Sequence, residues 1–396
     1  MARVVAPLLV LALLLAGCTD EAARTVPREP ERPAQLPVTV ERDVTVDEPA
    51  VPSTATRNTI RIGGPDAATD AAGVARALYP GSESRDRPKA LTLVDQDDWV
   101  TGIAAAVLAG PPVGAPLLLS DGDSLPPATE EALTRLEPRG SELSEGAQLI
   151  RLGRDVARPD GYRTAVVEGE SAFHRAAAID RFVSAARGAP SRAVVLYSAE
   201  GPAWAMPAAA WAARSGDAAL PVRADAIPAP VRRALAEHER PDVYVLGPER
   251  VISTGVVEQL KQEKLARSVR RIAGPTPVES AVAFARYRRR DFGWGIVVPG
   301  FNFTVASTSR PLDAAAAAPL ATRGVFAPLL VTERADELPR ALENYFLSVQ
   351  PGYEDDPGEA VYNRVWILGD EEAISAAQQT AIDRITELVP VRADGP

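Results

Sequence analysis

From residue 58 onward, short apolar runs alternate with alanine-rich stretches at helical spacing, and the whole pattern occurs three times. The first run of each copy ends in glycine: Arg61-Ile62-Gly63-Gly64, Val166-Val167-Glu168-Gly169 and Arg271-Ile272-Ala273-Gly274. The last glycines stand at 64, 169 and 274, so both intervals are 105 residues. Alanine-rich segments predict a helix after each: 71–78, 176–186 and 281–287.

A second apolar run follows at Ala90–Val94, Ala193–Tyr197 and Gly295–Val298, each leading into another alanine helix at 102–108, 205–213 and 314–321. The third run opens near proline: Pro116-Leu117-Leu118, Pro221-Val222 and Pro328-Leu329-Leu330. An Asp-x-aliphatic-Pro segment comes next, ending at Pro126, Pro228 and Pro339. These prolines suit a first helical turn, where a missing N–H costs nothing. The fourth run closes on glycine at Gly153, Gly247 and Gly369. Strands this uniformly apolar, alternating with helices, predict parallel β-α-β units with helices on both faces of each sheet. Copy one lacks a clear helix after Gly153. Copy three carries an acidic insertion at 350–363. The repeats are expected at 58–160, 161–268 and 269–396.

The first 57 residues follow a different pattern. Arg3 precedes an apolar run from Val4 to Ala16. Thirteen residues at about 1.5 Å rise fall short of a bilayer core of roughly 30 Å, so the run fits a signal peptide rather than a span. It ends in Leu15-Ala16-Gly17-Cys18, which resembles a bacterial lipobox. The resemblance implies cleavage after residue 17 and diacylglycerol on Cys18, which places the chain on the extracytoplasmic face of the cell membrane. Residues 18–57, rich in Pro, Glu and Arg, have no sustained period and are expected to form a tether.

Composition narrows the chemistry. Net charge is −10, which disfavours nucleic acid and simple attraction to an anionic polymer. Cys18 is the one cysteine, and His174 and His238 are the two histidines, so neither a disulfide nor a Cys/His zinc site can be built. Asp95, Asp97, Asp98, Asp121 and Asp123 follow strands of copy one, where an α/β sheet has its ligand crevice. Helix caps and turns are the expected use of these acids, and no metal or cofactor is expected. No serine elbow pairs with either histidine, so no enzyme is expected. Trp99, Trp204, Trp294, Phe301 and Phe303 are expected to pack between units, with sugar stacking as the alternative. Arg286–Arg290, with Tyr287 interleaved, is a basic cluster expected at a solvated helix end, or against anionic lipid or polymer.

In their order, the Arg-Ile-x-Gly openings, the Pro-Leu-Leu runs, the Asp-x-Leu-Pro segments and the Leu-Gly closings resemble the cell-wall-binding repeat type 2 family over residues 59–391. The Arg-Tyr pair usual after the family's first strand is absent from all three copies. The resemblance implies three Toprim-like, Rossmann-like α/β units around a pseudo-threefold axis. It also implies non-catalytic binding of cell-wall polysaccharide, with the motif residues Pro116, Leu117, Leu118, Pro221, Pro328, Leu329 and Leu330 as the candidate polymer contacts. A solute-binding receptor lipoprotein and a protein-binding envelope scaffold are the alternatives.

Overall fold

The computed structural model describes residues 54–81 and 83–391. Cys18, the Leu15–Gly17 box, the signal peptide and most of the tether lie outside the described residues. Thr54 and Ala55, at the tether's end, pair antiparallel with Arg61 and Ile60. All described elements belong to one compact unit, residues 49–396.

The fold is α/β, with three parallel sheets of one shared strand order. Numbering the strands of a repeat one to four along the chain, every sheet runs three, two, four, and then strand one of the following repeat. Thus Leu117–Ser120, Leu91–Asp95 and Leu149–Arg151 of repeat 1 are completed by Thr164–Val166 of repeat 2. The strands of repeat 2 are completed by Ser268–Ile272 of repeat 3. Repeat 3 is completed by Thr59–Ile62 of repeat 1, which closes the ring. Sheet membership is therefore offset from the sequence repeats by one strand.

The two paired motifs of the sequence form one lock. Arg61 is buried, and its guanidinium donates to the carbonyls of Gly369 (2.7 Å), Asp370 (2.7 Å) and Ile374 (2.7 Å). Arg271 donates to the carbonyl of Gly247 (2.7 Å). The arginine of Arg-Ile-x-Gly thus ties strand one to the Leu-Gly closing of the preceding repeat. Repeat 2 has Val166 at this place and has no such lock.

The ring centre is built from the second helix of each repeat: Trp99–Ala105 with its 3₁₀ continuation Ala106–Ala109, Pro202–Ser215, and Asp313–Ala316 with Ala318–Thr322. Alanine lets these helices approach closely, and the axis is fully buried through Ala105, Ala209, Ala212 and Ala315. A Cβ on Gly110 would stand 2.1 Å from the carbonyl oxygen of Ala213, so only glycine fits there. Each first helix leans on its own third strand and on the second helix of the preceding repeat. The units are thereby interlocked rather than strung out.

One predicted strand is displaced. The second strand of repeat 3 is Asn302–Ser307, not Gly295–Val298. Gly293, Gly295 and Gly300 have positive φ, so the backbone between them turns instead of extending, and Val297 and Val298 are left exposed.

Candidate functional site: a crevice at the unlocked seam

Three seams join the repeats, and the same places around each are filled by different chemistry. At the 3/1 seam, Arg310 reaches Asp70 (3.0 Å), Asp313 (3.5 Å) and Asp370 (3.4 Å), and donates to the carbonyl of Gly64 (2.9 Å). Asp70 and Asp313 are fully buried. Burial, and then the charge of Asp313, pushes Asp70 up to about 9; burial raises Asp313 to about 6 against the pull of Arg310. Neither carboxylate oxygen of Asp313 has a hydrogen-bond partner among the described residues, so Arg310 is the cation that both buried acids face.

At the 1/2 seam the charges trade sides. Arg175, six residues after Gly169 as Asp70 is after Gly64, donates to Asp98 (3.0 Å), Thr101 (3.1 Å) and the carbonyl of Gly169 (3.1 Å). Asp98 also caps the helix Trp99–Ala105 by accepting from Thr101 N (3.0 Å). At the 2/3 seam, Ser280 takes the place of the ion pair. Its hydroxyl accepts from Gly274 N (2.7 Å), while Arg250 lies over the Trp204 ring at 5.0 Å.

The 1/2 seam, which lacks the arginine lock, opens into a cavity of about 1030 Å³. It lies at the carboxyl ends of the repeat 1 strands, the usual ligand crevice of an α/β sheet. Asp95, Asp97, Asp98 and Asp155 line it from repeat 1, and Glu170, His174, Arg175, Arg181 and Arg233 from repeat 2. Its size suits a small-molecule or saccharide ligand. In repeat 1, Arg76 on the first helix faces Glu131 on the third at 3.4 Å. The matching places in repeat 2 hold Arg181 and Arg233. The carboxylate partner has become a second cation, and among the described residues neither arginine has an ion pair. The two exposed guanidiniums of repeat 2, with carboxylates around them on both walls, can bind an acidic group and hydrogen-bond sugar hydroxyls.

The other sequence candidates are placed as follows. Asp95 accepts from Gly122 N (2.8 Å) and Asp97 N (2.8 Å), and Asp121 and Ser124 bridge a turn that includes Asp123. Among the described residues no group of three His, Cys, Asp or Glu is placed to hold a metal. Pro116, Leu117, Leu118, Pro221, Pro328, Leu329 and Leu330 are all buried in or next to the third strands. Their side chains form the sheet core, away from the residues that line the crevice. None of the five aromatic candidates lines the crevice. Trp294 packs edge-on to Trp211 at 5.5 Å, and Phe303 packs on Tyr345 and Phe346. His174 Nδ1 lies 2.9 Å from Ser171 Oγ at a helix start. His238 ends the helix Ala229–Glu237 and is buried between Asp180 (2.8 Å) and the carbonyl of Ser191 (2.8 Å). The bare spacing of titratable residues carried no signal for this pair, nor for Arg181 and Arg233. Aligning the copies against each other exposes the change from Glu131 to Arg233.

Comparison with known proteins agrees with this architecture. Residues 271–379 match the family model described as cell wall binding domain 2 (CWB2). Cwp8 from Clostridium difficile is 22% identical over 84% of this chain and 52% of its own, with a TM-score of 0.64. Cwp6 from the same organism is 16% identical over 82% of this chain and 47% of its own, with a TM-score of 0.65. The chain thus spans about half the length of these structures. No curated protein matches it. Residues 271–379 are therefore similar to cell wall binding domain 2, and they lie within a three-repeat ring that shares its fold with Cwp8 and Cwp6.

Proposed function

We propose that the protein is a non-catalytic envelope lipoprotein, anchored through diacylglycerol on Cys18, that binds an acidic cell-wall polysaccharide in the crevice of the 1/2 seam. The observation that carries this reading is the crevice itself. It is the wide opening at the unlocked seam of a wall-binding fold, and its Arg181 and Arg233 stand where repeat 1 has a neutralised pair. A net charge of −10 repels an anionic chain at long range, so recognition rests on these local cations. The neighbouring carboxylates Asp97, Asp155 and Glu170 would accept hydrogen bonds from sugar hydroxyls and set the register. The buried Pro-Leu-Leu runs shape the sheet and leave recognition to the crevice.

The test is a pull-down of residues 49–396 with purified wall from the source organism, before and after its secondary polymers are stripped. Retention is expected to vanish on stripping, and to fall about tenfold or more in Arg181→Glu/Arg233→Glu, the loss of two charge-assisted contacts. Retention by stripped wall, or by the double variant at full strength, would place recognition elsewhere. Labelling of the full chain with a radiolabelled fatty acid, and its loss in Cys18→Ser, tests the anchor.

A further inference from the structure

Repeat 3 carries an apolar surface that its own fold leaves uncovered. Val297, Val298, Phe301, Leu347, Val361 and Tyr362 are 38 to 60% exposed, and three separate segments supply them. One buried side chain joins those segments. Asn363 Oδ1 accepts from Gly300 N (2.9 Å) and Phe301 N (3.2 Å), and its Nδ2 donates to the carbonyl of Val349 (2.7 Å) at the end of the helix Arg340–Ser348. Tyr345 adds a hydrogen bond to the carbonyl of Ile296 (3.1 Å). The six side chains therefore stand on a fixed platform rather than on independent loops. Clustered exposure of this kind marks an interaction site.

The platform has two charged flanks of opposite sign. On one side, Arg289 and Phe292 close a tight hairpin (2.8 and 3.0 Å), and Phe292 packs on Tyr244 of the repeat 2 sheet. This hairpin presents Arg288, Arg289 and Arg290 to solvent. On the other side, the insertion presents Glu354, Asp355 and Glu359. It is tied to the first-strand edge of the sheet through Val389 N to Pro351 O (3.1 Å) and Gln350 to the carbonyl of Glu387 (3.3 Å), with Glu387 paired to Arg57. The hairpin rests on repeat 2 and the insertion's anchor on the strand that repeat 1 contributes, and these two repeats flank repeat 3 in the ring, so the two charged groups lie on opposite sides of it. Among the described residues, none of the six flanking charges has an ion pair within the chain.

We propose that this face binds a second copy of the chain about a two-fold axis. A two-fold contact requires a self-complementary surface. An apolar centre between a basic and an acidic flank meets that requirement: rotation lays one copy's arginines on the other's carboxylates. An anionic membrane would be repelled by the acidic flank, so charge favours a second copy over lipid.

Sedimentation equilibrium on residues 49–396, which hold the whole closed ring, tests this without wall polymer present. The expected result is a dimer below about 100 µM, with Kd raised at least tenfold by Val298→Asp. Arg289→Glu/Arg290→Glu and Glu354→Arg/Asp355→Arg are each expected to weaken it. Combining the two reversals is expected to restore it, because the flanks become complementary again. A monomer throughout that range, a dimer indifferent to Val298→Asp, or no recovery in the combined variant would each overturn the proposal. So would a monomer that instead sediments with phosphatidylglycerol vesicles through the same platform.

Discussion

The 3/1 and 1/2 seams solve the same joining problem with opposite polarity and opposite exposure. At the 3/1 seam the arginine comes from the loop after strand two, and the carboxylate from the first helix of the next repeat. At the 1/2 seam the carboxylate, Asp98, comes from that loop and the arginine from that helix. A helix from one repeat set against the other's loop would place like charges together, so the swap also helps fix which repeat neighbours which. The first seam is locked by Arg61 and closed over two fully buried acids; the second lacks that buried lock, is spanned at its surface by the exposed Arg154–Glu168 pair, and keeps a cavity. One fold position thus serves ring closure in one place and access to ligand in another.

The largest expected effect comes from removing the central cation of the closed seam. Arg310→Ala would leave Asp70 and Asp313 buried with no cation between them. Breaking a buried ion network by deleting one partner costs about 3–5 kcal/mol. Denaturant unfolding of residues 49–396 should show a loss of this size near neutral pH. A change below about 1 kcal/mol would mean that the cluster is neutral and tolerant, and that ring closure rests on packing alone.

Asp70→Asn sharpens the same point through pH. Burial raises the folded carboxyl to about 9, against about 4 for an exposed aspartate. The native state therefore holds a proton that the unfolded chain has lost. The stability tied to that proton is fully present below about pH 4, falls as pH rises, and is gone above about pH 9. Asparagine keeps the acceptor for Gly64 N (2.7 Å) and needs no proton. The variant should unfold with a flatter pH dependence between 5 and 9, and at pH 8 should gain about 1–3 kcal/mol over the parent.

His238 provides a control away from the seams, because it also loses stability with rising pH. Burial lowers its affinity for protons, but the hydrogen bond and charge of Asp180 and the carbonyl of Ser191 outweigh this and hold it above its usual value. Both ring nitrogens face acceptors, so the imidazolium is the form the geometry fits. Its contribution is complete below about pH 6.5 and lost as pH rises through the raised folded value. His238→Gln should remove a slope confined to that upper window, at a cost of roughly 1–2 kcal/mol at pH 6. If Asp70→Asn and His238→Gln remove the same slope, the assignment of either group fails.

The repeat grammar, the parallel α/β class and the central alanine helices were legible in the sequence, because burial on both faces leaves uninterrupted apolar runs. The exchange of first strands was not, since hydrophobic pattern records that a strand is buried and not which neighbour it pairs with. Gly295–Val298 misled for the converse reason: Ile296 is buried, but Val297 and Val298 lie outside the core, on the exposed platform. The candidate site was half legible. Asp95, Asp97 and Asp98 were placed after the right strands, but the pairing of Arg181 with Arg233 depends on two helices meeting across about fifty residues.

The smallest expected effect lies at the open seam. Arg175 and Asp98 keep about a fifth of their side-chain surface exposed, and Asp98 retains its helix cap when the arginine is removed. No charge is stranded in the interior, because the crevice admits water beside both groups. Arg175→Ala should therefore cost about 0.5–1 kcal/mol, several times less than Arg310→Ala. Salt separates the two further. Raising ionic strength to about 1 M shortens the screening length to about 3 Å, which should erase most of the Arg175 effect and leave that of Arg310 nearly intact. Equal losses, or equal salt dependence, would show that the two seams are energetically alike despite their geometry, and that the cavity is not what distinguishes them.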